Sequence, residues 1–189
     1  MDPFSNDIKS SIKVLLNRGI ILYPTDTIWG IGCDATNAEA VKKIYQLKKR
    51  AEKKSLIILV SNENEIRNYV LNPSQKIIDF ISIQKNPTTA IFAKAIHLPK
   101  EIINEDGSVA IRIVKDDFCI ALLHKLKRPL VSTSANISGE AAPKNFIQIS
   151  SPIKNGVDFI VQHRQNEMID YRQSSIIKLN SLNEIEKIR

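Results

Sequence analysis

Residues 19–59, GIILYPTDTIWGIGCDATNAEAVKKIYQLKKRAEKKSLIIL, carry the patterns that decide the fold. Ile20, Ile21, Leu22 and Tyr23 form a continuous apolar run with β-branched members, bounded by Gly19 and Pro24, which predicts a buried strand. Pro24 lacks an N–H and biases Tyr23 towards extended geometry, so the strand ends there. Thr25, Asp26 and Thr27 follow at the strand's C-terminal end, where open α/β sheets place their ligands. Taken alone, they read first as a turn whose side chains bond their own backbone. Gly30 and Gly32 are expected to relax the chain beyond it, and they lack the third glycine of a dinucleotide-binding turn.

The next segment has a helical period. Thr36 and Glu39 stand at capping-box spacing, and Ala40, Val41, Ile44, Tyr45 and Leu47 supply one apolar face. From Val41 to Lys54 there are seven basic residues (Lys42, Lys43, Lys48, Lys49, Arg50, Lys53, Lys54) against one acid, Glu52. That local excess nearly equals the net charge of the whole chain, +7. A helix C-terminus accounts for two or three such cations. A basic loop between two apolar strands also suits an anion such as a polyphosphate or an RNA backbone. Leu56 to Val60 form the second apolar strand, so strand, helix and strand predict a crossover unit in a parallel or mixed sheet.

Outward from this stretch, Ile8, Ile12, Leu15 and Leu16 mark one face of a first helix, with Gly19 expected as its left-handed terminating residue. Ile77, Ile78 and Ile81 predict a helix over 74–83, followed by an apolar strand near Ile91 and Phe92. Ser108 to Ile113 alternate as a strand with Ser108, Ala110 and Arg112 on one face. Arg112 between isoleucines is costly to bury unpaired. It has two readings: an acidic neighbour, or a fork for a ligand carboxylate or phosphate. Leu122, Leu123 and Leu126 predict a short helix, and Pro129, Leu130 and Val131 a strand running into a hydroxyl-rich loop at Ser132, Thr133, Ser134, Asn136 and Ser138. Such a loop is either a helix cap or a cradle of donors for anionic oxygens.

The chain has 189 residues, 43% hydrophobic and 25% charged, which predicts a single domain over residues 1–189. No apolar run approaches a membrane span, and the acidic start Met1-Asp2-Pro3 differs from a secretory signal. A cytoplasmic protein is expected. Cys33, Cys119, His97, His124 and His163 show no metal-ligand spacing.

Several of these segments resemble the signature of the YrdC-like threonylcarbamoyl-AMP synthases: Tyr23-Pro24-Thr25-Asp26-Thr27, the Gly-x-Gly-x-Asp-Ala of 30–35, Lys48-x-Arg50-x-x-x-Lys54-x-Leu56, and Ser134-Ala135-Asn136-Ile137-Ser138-Gly139. Ser174-Ser175-Ile176-Ile177 and Ile188-Arg189 resemble that family's closing segments, with Ser175 in place of threonine. The family's Pro-Gly-Pro turn is replaced by Asn86-Pro87-Thr88. The resemblance implies a twisted, mixed or mostly parallel open α/β sheet with flanking helices and a concave basic face, and no additional C-terminal domain.

It also implies a nucleotidyltransferase that makes L-threonylcarbamoyl-AMP and pyrophosphate from L-threonine, bicarbonate or carbon dioxide, and ATP, with Mg²⁺ carried by the ATP phosphates. The product would pass to a tRNA threonylcarbamoyltransferase complex. Matching the motifs residue by residue assigns Lys48, Arg50 and Lys54 to the triphosphate. The same matching puts Ser108, Asn136, Lys144 and Arg189 on the nucleotide side, and Thr27, Arg112, Ser134 and Ser174 on threonine. Tyr23, Asp26 and Trp29 are expected to be structural or supporting. The concentrated charge leaves a second function class, a non-catalytic module for tRNA or other duplex RNA read by shape.

Overall fold

The computed structural model describes residues 3–50, 56–168 and 173–189. In chain order the elements are α1 (Ser5–Leu16), β1 (Ile21–Tyr23), β2 (Gly30–Gly32), α2 (Ala38–Leu47), β3 (Ile57–Val60), a 3₁₀ turn (Glu63–Asn68), α3 (Gln75–Ile83) and β4 (Thr88–Phe92). Then come β5 (Val109–Ile113), α4 (Asp117–Leu126), β6 (Leu130–Ser134), α5 (Ser151–Asn155), β7 (Phe159–Ile160), β8 (Ser175–Leu179) and β9 (Ile185–Lys187). No helix among the described residues is long and apolar enough to cross a membrane.

The strands form one open mixed sheet in the order β7-β1-β2-β6-β3-β5-β4-β8-β9. Three pairings are parallel, β1 with β7, β3 with β5 and β4 with β8, and the other five are antiparallel. β6 joins the two halves: Thr133 and Ser134 pair with β2, while Leu130, Val131 and Ser132 pair with β3.

This arrangement corrects the expected crossover. β1 turns straight back into β2, so β1 and β3 run in opposite directions, and the helix α2 instead connects β2 to β3 with β6 inserted between them. Gly30 and Gly32 are therefore strand residues, and neither has a positive φ. Their lack of a side chain makes room. A Cβ on Gly32 would stand 2.6 Å from Tyr23 Cε1 and 2.6 Å from the Val131 carbonyl. Tyr23, fully buried, lays its ring there and donates from its hydroxyl to the Val131 carbonyl oxygen at 3.2 Å.

Helix ends also differ from the sequence expectation. α1 ends with Arg18, not Gly19, in the left-handed conformation (φ 61°). The Gly19 N–H bonds the Val14 carbonyl at 2.9 Å and the Arg18 N–H bonds that of Leu15 at 3.1 Å, the paired closure of a Schellman end. Gly19 is required for close approach, since a Cβ there would meet Val14 Cγ1 at 2.5 Å. Leu16, expected on the buried face, is 55% exposed. α2 is capped by Asn37, whose Oδ1 accepts from the Ala40 N–H at 3.0 Å, while Thr36 donates its hydroxyl to Asp34. The hydroxyl-rich segment expected as a loop begins as strand, since β6 continues through Ser134, and is loop from Ala135 onward.

One face of the sheet is covered by α2 and α3, which bury Ile20, Leu22, Ile31, Ile58, Ile111 and Val131 among others. Trp29 belongs to this core and packs against Phe146 with ring centroids 4.9 Å apart. The other face is covered only in part. α1 and α4 pack on Ile21, Tyr23, Leu59 and Leu130 and stop there. Ile57, two positions before Leu59, packs against the margin of this cluster, and with Ser132, two positions after Leu130, it lines an open cleft. Because Gly32 and Tyr23 fix how β1, β2 and β6 approach, Gly32→Ala should destabilise the fold by about 3 kcal/mol in chemical denaturation. Gly30→Ala, whose Cβ meets Ser132 Oγ at 3.3 Å, should cost less.

Candidate active site

Each strand crossing the open half of the sheet contributes the side chains that its two-residue alternation turns towards that face. Across one row stand Ser132, Ile57, Ala110 and Ile91, neighbours in register from β6 through β3 and β5 to β4. In the next row Arg112 of β5 faces Thr89 of β4, which faces Ile176 of β8. The cleft they form has a volume near 300 Å³, with an apolar floor of Ile57, Ala110, Ile91 and Ile176 and a polar rim.

The rim begins with the loop between β1 and β2. Thr25 Oγ1 accepts from the Thr27 N–H at 3.0 Å and donates to the Ile28 carbonyl at 2.9 Å, with the Thr27 hydroxyl 2.8 Å away. The local turn expected from the sequence is thus present, and it sets Thr27 in the cleft wall. α4 holds the turn from behind. Cys119 Sγ donates to the Pro24 carbonyl at 3.4 Å, and Arg164, paired with the α4 capping residue Asp116, reaches the Thr25 carbonyl at 3.4 Å.

Arg112 has the acidic neighbour of its first reading. Its side chain is 4% exposed, and Nη2 lies 3.1 Å from Oδ1 of Asp26, itself 9% exposed. The approach is off the hydrogen-bonding axis: among the described residues Arg112 Nε and Nη2 and both Asp26 oxygens make no hydrogen bond. The arginine therefore has its acidic neighbour on its buried side and lines the cleft.

Arg50 and Arg189 bring two further guanidiniums to the same wall. Burial lowers the Arg50 pKa below the ordinary arginine value, and burial followed by the charge of Arg112 does so for Arg189. Both remain cations, and an anion beside Arg189 and Arg112 offsets the cost of crowding those two like charges. Arg189 Nη2 donates to the Ser174 carbonyl at 3.1 Å, and the Ser174 hydroxyl bonds that of Thr89 at 2.8 Å.

Of the residues singled out in the sequence, Thr27, Arg50, Arg112, Ser134, Ser174 and Arg189 come together in this cleft. Four others are placed elsewhere. Lys48 is 1% exposed, and its ammonium donates to the carbonyls of Ser134 and of Asn136, the latter at 2.6 Å, while its own carbonyl accepts from the Ser138 N–H. It clamps the end of α2 to the end of β6, in contrast to the phosphate-facing position expected. Asn136 donates to the carbonyls of Ile137 and Glu140 and closes the loop after β6, leaving Oδ1 buried with no hydrogen bond among the described residues. Ser108 accepts from Asn104 Nδ2 and lines a second cleft of about 310 Å³ beside Lys94 and Lys178. Lys144 is exposed, its N–H on Gln148 Oε1. Lys54 lies outside the described residues.

The basic run also divides. Lys42 pairs with Glu101 at 3.3 Å and Lys43 donates to the Arg18 carbonyl at 2.9 Å, so neither contributes to the cleft. Sequence reasoning missed Gln173 and the apolar floor, which line it, and named Ser132 and Thr133 only as part of the hydroxyl-rich segment. Ser132 and the floor residues were recoverable from strand alternation once β6 was extended through Ser134.

The family model of Sua5, YciO and YrdC, described as telomere recombination, matches residues 13–189. The chain belongs to this family. It is 30% identical over 157 residues to the threonylcarbamoyl-AMP synthase of Pseudoalteromonas translucida, covering 82% of this chain and 84% of that one. Among solved structures, P. abyssi Sua5 complexed with L-threonine superposes with a TM-score of 0.85 at 22% identity, over 96% of this chain and 53% of that one. The chain thus spans about half the length of Sua5. E. coli YciO superposes with a TM-score of 0.81 at 18% identity, over 97% and 88% of the respective chains. Both likenesses establish the shared mixed open sheet.

Within this member of the Sua5, YciO and YrdC family, burial and then the charge of Arg50 push the Lys48 pKa down to about 7. That lies below the unfolded value of 10.5, so between the two the unfolded chain binds more protons and stability rises with pH. The unfolding free energy of the wild type relative to Lys48→Met should therefore increase from pH 7 to pH 10, read by denaturant titration at each pH.

Proposed function

We propose that the protein is an L-threonylcarbamoyladenylate synthase, which joins L-threonine, carbon dioxide or bicarbonate, and ATP. The observation that carries this reading is Arg112: a buried arginine on a strand, in the wall of a cleft that Arg50 and Arg189 also line. A guanidinium so placed suits the carboxylate of an amino acid, and two further guanidiniums in the same cleft suit the phosphates of a nucleotide. The curated relative from P. translucida bears the corresponding name, at 30% identity over most of the chain.

The chemistry asks little of a general base. The amine of threonine, having lost a proton from its ammonium form, adds to the carbon of carbon dioxide with release of a second proton to solvent, or to bicarbonate with loss of water, giving an N-carboxylate. One oxygen of that carboxylate attacks the α-phosphorus of ATP, the bond to the bridging oxygen breaks, and pyrophosphate leaves. A carboxylate already carries the charge for attack, so rate comes from alignment and from cations that stabilise the departing pyrophosphate. Arg112 and Thr27 would hold threonine, with Ser134 and Ser174 beside it, while Arg50 and Arg189 would hold the nucleotide. Mg²⁺ would enter as part of the ATP substrate. The product is a labile mixed anhydride, which favours direct transfer to a tRNA threonylcarbamoyltransferase.

The rival reading, a duplex-RNA module, draws on the concentration of basic residues in and after α2, between Val41 and Lys54. Lys42, Lys43 and Lys48 are engaged with Glu101, Arg18 and the β6 loop, and a 300 Å³ cleft with an apolar floor suits a small ligand better than a phosphate backbone. Pyrophosphate release from ATP separates the two. The wild type should release it only with both threonine and bicarbonate, and Arg50→Ala should lose about a hundredfold or more in kcat. Absence of release under every combination, with duplex-RNA binding that falls steeply with salt, would establish the rival.

A further inference from the structure

We propose that Asp26 is the positioning residue for Arg112, fixing the guanidinium at the angle from which it meets the carboxylate of the amino-acid substrate; this rests on the synthase reading. Arg112 sits on β5 in the cleft wall, whereas Asp26 stands behind it, with both oxygens out of contact with solvent. Asp26 therefore acts through Arg112 and does not touch the substrate. Their 3.1 Å approach is the ion pair each of them makes among the described residues.

Two physical facts require such a partner. A buried arginine whose charge is unmatched is strongly disfavoured, and a long side chain beside an open cleft has several rotamers to choose from. A carboxylate at a fixed point answers both. Asp26 is at a fixed point because its neighbours are locked. Thr25 closes the turn on Thr27 and Ile28, Cys119 holds the Pro24 carbonyl, and Arg164, anchored on Asp116, reaches the Thr25 carbonyl. The N-terminal end of α4 thus sets the turn, the turn sets Asp26, and Asp26 sets Arg112. Nη2, the nitrogen at Asp26, is out of contact with solvent together with Nε, so the ion pair holds the buried side of the guanidinium and a ligand meets Arg112 from the cleft that it lines.

The alternative is that Asp26 only balances charge within the fold. Threonine and ATP kinetics of pyrophosphate release, with threonine binding by calorimetry, distinguish the two in wild type, Asp26→Asn, Arg112→Lys and the double variant. Asp26→Asn should raise the threonine KM and Kd about tenfold or more and leave the ATP KM within about twofold. In the Arg112→Lys background the same change should move the threonine KM by less than about threefold, because coupled residues are not additive. An unchanged threonine KM, equal shifts for threonine and ATP, or full additivity in the double variant would overturn the proposal. Should Asp26→Asn not fold, Asp26→Glu keeps the charge one methylene further out. It should still raise the threonine KM at an unchanged melting temperature, and wild-type kinetics, or failure of both variants to fold, would make the residue structural. A wild type that neither binds threonine nor releases pyrophosphate defeats the synthase reading itself. An active wild type with an indifferent Asp26 defeats only this inference.

Discussion

Everything in this molecule depends on one sheet face being covered over only part of its width. α2 and α3 bury the far face along its length, while α1 and α4 cover only the region around β1, Leu59 and Leu130. An uncovered stretch of sheet exposes apolar side chains such as Ile57, Ile91 and Ile176, a cost that a scaffold without a ligand would avoid by adding a helix. Here the boundary of the covered region is where the polar side chains stand. Thr27, Arg112 and Ser132 occupy the line at which helices give way to open sheet, so each has a packed side that fixes it and an open side that can be used.

The supports behind the cleft are of two kinds. Hydrogen bonds from α4 and its neighbours hold the Thr25–Thr27 turn, and the Lys48 ammonium holds the end of β6. Neither set needs a ligand to be in place. Preorganisation of this kind is what a reaction driven by alignment and charge requires, since groups already oriented lose little further entropy on binding.

Much of the fold was legible in the sequence because its signals are local. The apolar run at 20–23, the isoleucine period in α3, the alternation through Arg112 and the polar turn at 25–27 each arise from residues close together in the chain, and each appears where expected. What was not legible is long-range. Gly30-Ile31-Gly32 looked like slack chain because nothing nearby in sequence reveals that Tyr23 and the Val131 carbonyl press against it. Lys48 looked like one of several phosphate-facing cations because its two carbonyl partners lie 86 and 88 residues away. The motif matches named Thr27, Arg50, Arg112, Ser134, Ser174 and Arg189, and all six line one cleft, although they are scattered from residue 27 to residue 189. Composition counted the charge after α2 but could not say which way it faced.

The position of β6 also governs how the chain must assemble. β2 and β3 come early, at residues 30–32 and 57–60, yet the strand that lies between them is at 130–134. During synthesis the two sheet halves remain unjoined until about seventy further residues have emerged after β3. For that interval β2 and β3 each present an unpaired edge, the condition under which nascent chains mispair. β2 is three residues long, with glycine at both ends, and offers a poor template for a foreign strand. The same glycines that admit Tyr23 in the finished protein thus also keep the waiting slot unattractive until its own strand arrives.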